Sequence, residues 1–527
     1  MIHKLPDKLP QYPQWITTNT LYNIQRECIK NSIIMPNDKN PGELTEECPV
    51  NYFLRIKNEL YDLSSTTHEN AKIFLRINGK THKDILDDTK KDYHTALLHN
   101  IHPWTPGKLP AAYCNVKNKD NKKSRLISAS HKAPFRRLLR LTSKTLTYLL
   151  ENLPPSFTQF TLHSMQELKP KVESIARDLS RIYGPNTDIV TSQTDVEKMF
   201  TNLDHGEILS AITWLCNTYI GTLKSKPYIT RSSYKDFIYV EKSIPYECTW
   251  QQHKNKQRWQ EFHLNDIIRI VYRLGTYIHS SGDAIYKQKK GAPIGGFLSS
   301  NYANIKCAYD EHLFHCGIRV SPLATVNYRA IRQVDDLFAC AAYDTNSLSS
   351  LAKAKYTLEL LTSNKTYTGG LSLKLQDPIQ SSKEKTIHKF AGSLISIYHR
   401  PTLDTRLSIA PLNKNWESIQ TKQKFKIYPS WYTYIPIQMK KGFITATILR
   451  FISLSSTITT LLESVRQFIL ELKIIGYNTN FIRRTICQYT RRLRWRRNIH
   501  FPIFTSISNL HVLSERTPMF EQREKGK

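Results

Sequence analysis

The chain has 527 residues, 40% hydrophobic and 11% aromatic, enough for three or four packed lobes and too apolar for a largely disordered protein. Lys and Arg number 75 against 44 Asp and Glu, and the resulting +31 needs a polyanionic partner to offset its self-repulsion. Nine cysteines without a Cys-x-x-Cys pair argue against a disulfide framework or a zinc module, and Met-Ile-His-Lys-Leu-Pro-Asp-Lys at the start has no signal-peptide core.

In chain order, residues 1–95 are polar and mixed, with a helical patch at Asn51–Leu63 and no nameable chemistry. Pro103–Gly107 punctuates the chain like a linker. Ala111–Leu153 predicts a strand-like run followed by a basic helix over Phe135–Leu150. Thr187–Val196 alternates like a strand, and Asp204-His-Gly-Glu207 reads as a capping box opening a helix through Trp214. Residues 217–262 are polar and aromatic-rich and read as a surface insertion. Tyr328–Tyr343 predicts a hairpin, and beyond about residue 400 the pattern turns helical and basic. Phe443–Leu462 is the most membrane-like stretch, but Arg450 inside it makes a core helix the better reading. A soluble, intracellular protein is expected, with no membrane partner.

Three segments carry chemistry. Val334-Asp335-Asp336-Leu337-Phe338 sets two acids between strands apolar enough to be buried. Two carboxylates there need cationic compensation, and Mg²⁺ suits them, since it takes one or two carboxylates plus substrate phosphates. A solvated turn is the bland alternative. Asp195 ends the earlier strand in Asp195-Val-Glu-Lys-Met-Phe200. If that strand lies beside the hairpin, Asp195 and Asp335 converge on two metal ions able to activate a 3′-hydroxyl; otherwise Asp195 is a simple strand-end acid. Gly291, Gly295 and Gly296 place three of the 18 glycines within six positions, ahead of a helix over Leu298–Asn304. Such a loop lets backbone approach a nucleotide, or is only a tight turn. Downstream, Arg483, Arg484, Arg491, Arg492, Arg494, Arg496 and Arg497 interleave with Tyr489 and Trp495, fitting a grip on nucleic-acid backbone or a nuclear-import signal.

In this order the three segments resemble motifs A, B and C of the reverse-transcriptase palm, most like those of the Penelope-like elements, which are related to telomerase. Asp195-Val-Glu-Lys-Met-Phe-Thr-Asn-Leu203 is similar to D-V-x-x-L-Y-T-N-I. Tyr286 through Ser300 is similar to Y-x-Q-x-x-G-x-x-M-G-S-P-L-S-P, and Arg332 through Phe338 to R-Y-V-D-D-I-F. Tyr113–Ser130 resembles the fingers pattern, Phe390–Ile395 sits where the family has F-L-D-V-x-I, and Trp431–Arg450 resembles the thumb signature with Lys440 and Lys441. Gln333 replaces the usual tyrosine before the acids, Gly296-Phe297 replaces Ser-Pro, and Lys119 stands where the family has histidine. About 30 residues follow the thumb-like region, too few for the endonuclease many members carry, so the resemblance is to endonuclease-deficient members or a fragment.

The resemblance implies an α+β right-hand polymerase: residues 1–95 of unknown role, fingers over 96–187, an antiparallel, RNA-recognition-motif-like palm over 188–400, a helical basic thumb over 401–500, and a tail over 501–527. It implies an RNA-directed DNA polymerase of a retroelement, using two Mg²⁺ ions (or Mn²⁺), an RNA template, a DNA or RNA primer and dNTPs, with a nuclear location. Asp195, Asp335 and Asp336 would be catalytic, with Asp195, Asp335 and the Val196 carbonyl on the metals. Lys117, Arg125, Phe200, Gln288 and Gly295 would meet the nucleotide, the Phe200 ring excluding a 2′-hydroxyl. Lys440, Lys441, Arg483, Arg484, Arg491, Arg492 and Arg494 would meet nucleic acid. The rivals are a telomerase catalytic subunit, an RNA-dependent RNA polymerase, and a decayed protein that binds nucleic acid without catalysis.

Overall fold

The computed structural model describes residues 18–493, apart from 39, 62–72, 118–119, 155–156, 158–159, 225–236, 245, 254, 275–276, 322, 324, 364–365, 400–406, 414–429 and 434. The chain forms two units, each discontinuous in sequence: Glu47–His163 with Ile189–Gln376, and Met1–Glu46 with Ser164–Asp188 and Asp377–Lys527.

The larger unit contains a four-stranded sheet in the order Tyr328–Gln333, Asp336–Asp344, Thr187–Glu197, Ser372–Leu375. Its hairpin pairs Tyr328 with Ala341 through to Gln333 with Asp336, leaving Val334 and Asp335 as a two-residue turn. Leu337 through Ala342 are buried, as the unbroken apolar run predicts for an interior strand. A five-stranded sheet runs Phe74–Ile77, Ala284–Gln288, Tyr277–Ser281, Ala111–Lys117, Asp120–Ala129. Helix Leu264–Leu274 buries Leu264, Ile267, Ile270, Val271 and Leu274, one stripe at helical spacing. That stripe joins Leu138, Leu215, Ile305, Leu337 and Ala339 in one core.

Two expectations need correcting here. Helix His205–Lys224 continues ten residues past Trp214, and Phe237–Glu241, Cys248–Thr249 and Trp259–His263 form a three-stranded sheet. Ile238, Val240 and Phe262 in it are fully buried and join the core, with Tyr239 and Glu241 buried beside them, so the described part of this stretch is not a surface insertion. The capping box at Asp204 is half made: the Glu207 amide donates to Asp204 Oδ1 at 3.1 Å, while the Glu207 carboxylate turns to Lys306 at 3.0 Å.

In the smaller unit Gln380–Ser381, Lys385–Phe390, Ser393–Tyr398 and Leu407–Pro411 form an antiparallel sheet against which helix Leu168–Ser180 packs. Helices Ile437–Leu454, Ile458–Ile474 and Thr479–Leu493 bury Ile444, Phe451, Val465, Phe468 and Ile486 together. The membrane-like stretch is thus divided between two helices, and among the described residues no helix is long and apolar enough to cross a membrane. Arg450 within it donates to the Gly392 carbonyl at a hairpin turn. All nine cysteines are free.

Candidate active site

The two acidic segments meet through backbone. The Val196 amide donates to the Asp335 carbonyl at 2.8 Å, which sets Asp195 beside the Val334–Asp335 turn. Alternation along the strands puts Val196 and Leu337 in the core, so Asp195 and Asp336 leave the sheet on its other face. Both segments turn sharply on left-handed non-glycine residues: Lys198 (φ 48°) after the first strand and Val334 (φ 58°) in the hairpin. For β-branched Val334 this conformation is costly, and it persists where the surroundings over-determine it. Lys374 sits directly across the ladder from Asp195, adding a cation beside the acids.

Arg332 supplies much of that over-determination. It is fully buried, pairs with Glu311, and donates to the Val334 carbonyl at 3.0 Å, Thr161 Oγ1 at 2.7 Å and Asn304 Oδ1 at 3.1 Å. Glu311 also accepts from the Tyr367 hydroxyl at 3.0 Å and the Phe160 amide at 2.7 Å. Burial works against the Arg332 charge, but the groups around it, Glu311 foremost with Cys307 and Tyr367, together raise the guanidinium pKa above its usual value. A second system on the same helix, Ser299–Arg319, joins Lys306 to Asp310, to Glu207 at 3.0 Å and to Thr368 Oγ1 at 2.9 Å. Gln333, beside the turn, keeps its amide oxygen buried with no partner among the described residues.

The glycine loop is clasped onto the first acidic segment. The Gly291 amide donates to the Leu203 carbonyl at 2.7 Å and the Ala292 amide to the Phe200 carbonyl at 2.6 Å, with Phe200 half-buried in the short helix Met199–Asn202. Gly291 (φ 86°) has no alternative, since a Cβ there would lie 2.7 Å from the Phe200 and Thr201 carbonyls. Gly295 (φ 96°) meets the five-stranded sheet: a Cβ would come 2.6 Å from the Ser128 carbonyl and 3.3 Å from Ile127 Cγ2. The Ser128 amide donates to the Ile294 carbonyl at 2.7 Å, so strand Asp120–Ala129 is tied to the loop. Arg125 shares a strand face with Ile127 and lies opposite Asn115, and Lys117 pairs with Asp120 at the hairpin end. Gln288 is buried, with Nε2 on the Lys290 carbonyl at 3.0 Å and Oε1 3.2 Å from His279 Nε2; His279 Nδ1 lies 2.8 Å from Ser128 Oγ. Burial lowers the His279 pKa to about 4, so this relay is neutral near pH 7.

The structure therefore brings the Asp195–Phe200 segment and the Asp335–Asp336 turn together and ties the Gly291 end of the glycine loop to the first of them, while Gly295 lies against Ser128 and Gln288 supports the loop through the Lys290 carbonyl. Lys440 is a correction. It is 6% exposed, its ammonium donates to the Trp431 and Thr433 carbonyls and covers the Trp431 ring, and it is a structural cation, not a nucleic-acid contact. Lys441 is partly exposed and Arg483 and Arg484 are exposed. The Arg491 and Arg492 side chains and all of Arg494, Arg496 and Arg497 lie outside the described residues, as does Lys119. Sequence reasoning missed Lys374, Glu311, Lys306, Asp310 and His279. A signal existed for one pair: Lys306 and Asp310 stand four apart, the spacing at which a cation and a carboxylate meet on a helix.

No protein-family model matches this sequence, and no curated protein matches it. Among solved structures the chain is similar to telomerase from Candida albicans in complex with a TWJ fragment of telomeric RNA, with 14% identity, a TM-score of 0.56, and coverage of 95% of this chain and 74% of that one. It is also similar to telomerase from Candida tropicalis in complex with a TWJ fragment, with 12% identity, a TM-score of 0.50, and coverage of 97% and 72%. At such identities the likeness is one of fold: a mixed helix-and-sheet architecture like that of the telomerase polymerase.

Proposed function

We propose that the chain is an RNA-directed DNA polymerase that extends a primer 3′-hydroxyl on an RNA template. The observation that carries this reading is the Val196–Asp335 backbone hydrogen bond, which joins the two acidic segments beneath a glycine loop clasped to the first of them. On this reading the four-stranded sheet is the palm, the five-stranded sheet the fingers, and the helices from Ile437 onward the thumb. The motif resemblance supports a Penelope-like retroelement origin.

Among the described residues no three His, Cys, Asp or Glu side chains are grouped to hold a metal ion, so the Mg²⁺ reading rests on the chemistry of the Asp195 and Asp335 oxygens. A few carboxylates and a main-chain oxygen suit an ion that keeps waters and takes further oxygens from a nucleotide's phosphates. Asp195 and Asp335 would hold two Mg²⁺ ions, or Mn²⁺, with the Val196 carbonyl as a further ligand and Asp336 in support. When bound, the ions supply activation of the 3′-hydroxyl and neutralisation of the leaving pyrophosphate. The protein's own groups do the rest. Arg125 and Lys117 draw in the triphosphate, Arg by its planar fork. Lys374 balances charge where acids and phosphates gather. The exposed Gly295 backbone lets the nucleotide approach, and the Phe200 ring leaves a 2′-hydroxyl without room or partner.

Primer extension on an RNA template with dNTPs and Mg²⁺ tests this. Asp335→Asn is expected to lose on the order of 10³-fold or more in rate while binding primer–template like wild type. Activity within about tenfold of wild type rejects the assignment. Wild-type preference for GTP over dGTP on the same template moves it to an RNA polymerase. A second reading, a telomerase-like subunit, draws on the two telomerase structures above; extension only with a resident RNA, and none on an added template, would favour it.

A further inference from the structure

Helix Arg136–Glu151 buries Leu138, Leu141, Thr142, Thr145, Leu146 and Leu149 and turns a row of cations outward. Arg136, Arg137, Arg140 and Lys144 are exposed, and Lys132 continues the row before the helix. Arg136, Arg140 and Lys144 repeat every four residues, one charge roughly every 6 Å along the axis, a row a phosphate backbone can follow. Among the described residues none of these five cations forms an ion pair. Like charges are thus gathered without acids to balance them, which disfavours the patch unless a polyanion covers it.

The row is joined to the candidate active site by aromatic rings. Arg140 lies over the Phe297 ring at 5.6 Å, and Phe297 directly follows Gly295-Gly296. Arg140 also donates to the Tyr246 hydroxyl at 3.5 Å, and Lys144 lies over the Tyr246 ring at 5.8 Å. Tyr246 is half-buried and held at φ 61°, the left-handed region, so its place is specified at some cost. Rings interleaved with cations are the features that bind single strands, by stacking bases and tracking phosphates.

We propose that Lys132, Arg136, Arg137, Arg140 and Lys144, with Phe297 and Tyr246, form a track for single-stranded RNA, the unpaired template leading to the glycine loop. The track rests on the polymerase reading and names where its template runs. Phe297 gives it continuity with the site, since the residue that departs from the family's Ser-Pro is the one Arg140 covers.

The test is binding of the full chain, by fluorescence anisotropy, to a DNA-primed RNA template with a long 5′ overhang and to the same duplex made blunt. Arg136→Gln/Arg140→Gln is expected to lose about tenfold in affinity for the overhang probe and to flatten its salt dependence by roughly one unit of slope, while binding the blunt duplex as wild type does. The charge-matched Lys353→Gln/Lys355→Gln, exposed on another helix, should leave the overhang preference intact. Equal losses on both probes, or equal losses in the two double variants, would overturn the track. So would a wild type that binds blunt and overhang probes alike, and that result leaves the polymerase reading standing. No binding to either probe removes both.

Discussion

Helix Ser299–Arg319 holds two buried cation–carboxylate systems, and they are completed to different degrees. Arg332 and Glu311 are both fully enclosed, and every polar direction from the pair leads to a partner: Asn304, Thr161, Tyr367, the Phe160 amide and the Val334 carbonyl. Lys306 and Asp310 are as deeply buried, but their third member, Glu207, is 33% exposed, and burial raises Asp310 to about pKa 6 against the pull of Lys306. The first system grips the turn that presents the acids. The second braces helix His205–Lys224 and the Tyr367–Gly370 region, where water can share the charge. A turn that must hold an unfavourable φ at Val334 has the closed system; a brace between helices manages with the open one.

Cutting each system exposes the difference. Arg332→Met leaves Glu311 charged, buried and unpaired, and is expected to destabilise the protein by about 3–5 kcal/mol in denaturant unfolding, with primer extension lost alongside. Arg332→Met/Glu311→Leu should regain most of the stability, since the uncompensated charge is gone, but not the turn; recovery of full activity would show that the acids need no such grip. Lys306→Met should destabilise less, by about 1–3 kcal/mol, because Asp310 can take a proton and Glu207 can turn to water. Equal losses in the two single variants would erase the distinction.

The smallest effect is in pH. Asp310 binds its proton more tightly in the fold, near 6 against an ordinary 3.8, so its contribution is fully present below 3.8 and is lost as pH rises through about 6. Unfolding midpoints at about pH 5 and about pH 7 should therefore fall for wild type relative to Asp310→Asn, which has no proton to lose. A constant difference between the two proteins would place Asp310 in an ordinary ionised pair.

The sequence made some of this legible. Asp335 and Asp195 could be brought together from order and alternation, because an acid in an apolar strand demands an explanation and a second acid at a strand end offers one. The hairpin Tyr328–Tyr343 and the helix after the glycine loop followed from apolar runs and glycine spacing. The bracing was not legible. Glu311 and Arg332 stand 21 residues apart on different elements, and nothing local marks them as partners. Phe74–Ile77 is four residues long, too short to show a period, yet it completes a sheet edge beside Ala284–Gln288. Lys440 misled because the residues that claim its ammonium are carbonyls, which have no signature in sequence.

The discontinuity of the smaller unit bears on how the protein is made. Lys169 donates to the Ser455 carbonyl across 286 residues of chain, and helix Leu168–Ser180 rests on strand Leu407–Pro411. Translation at roughly 5–20 residues per second completes the larger unit at Gln376 while that helix still lacks its partners, and the strand it rests on is finished only at Pro411, about 2–7 s later. During that interval the apolar stripe of Val172, Ile175, Ala176 and Leu179 has no strand to cover it on the ribosome. Nascent chains of this protein are thus open to holdase chaperones at a defined place and for a defined time.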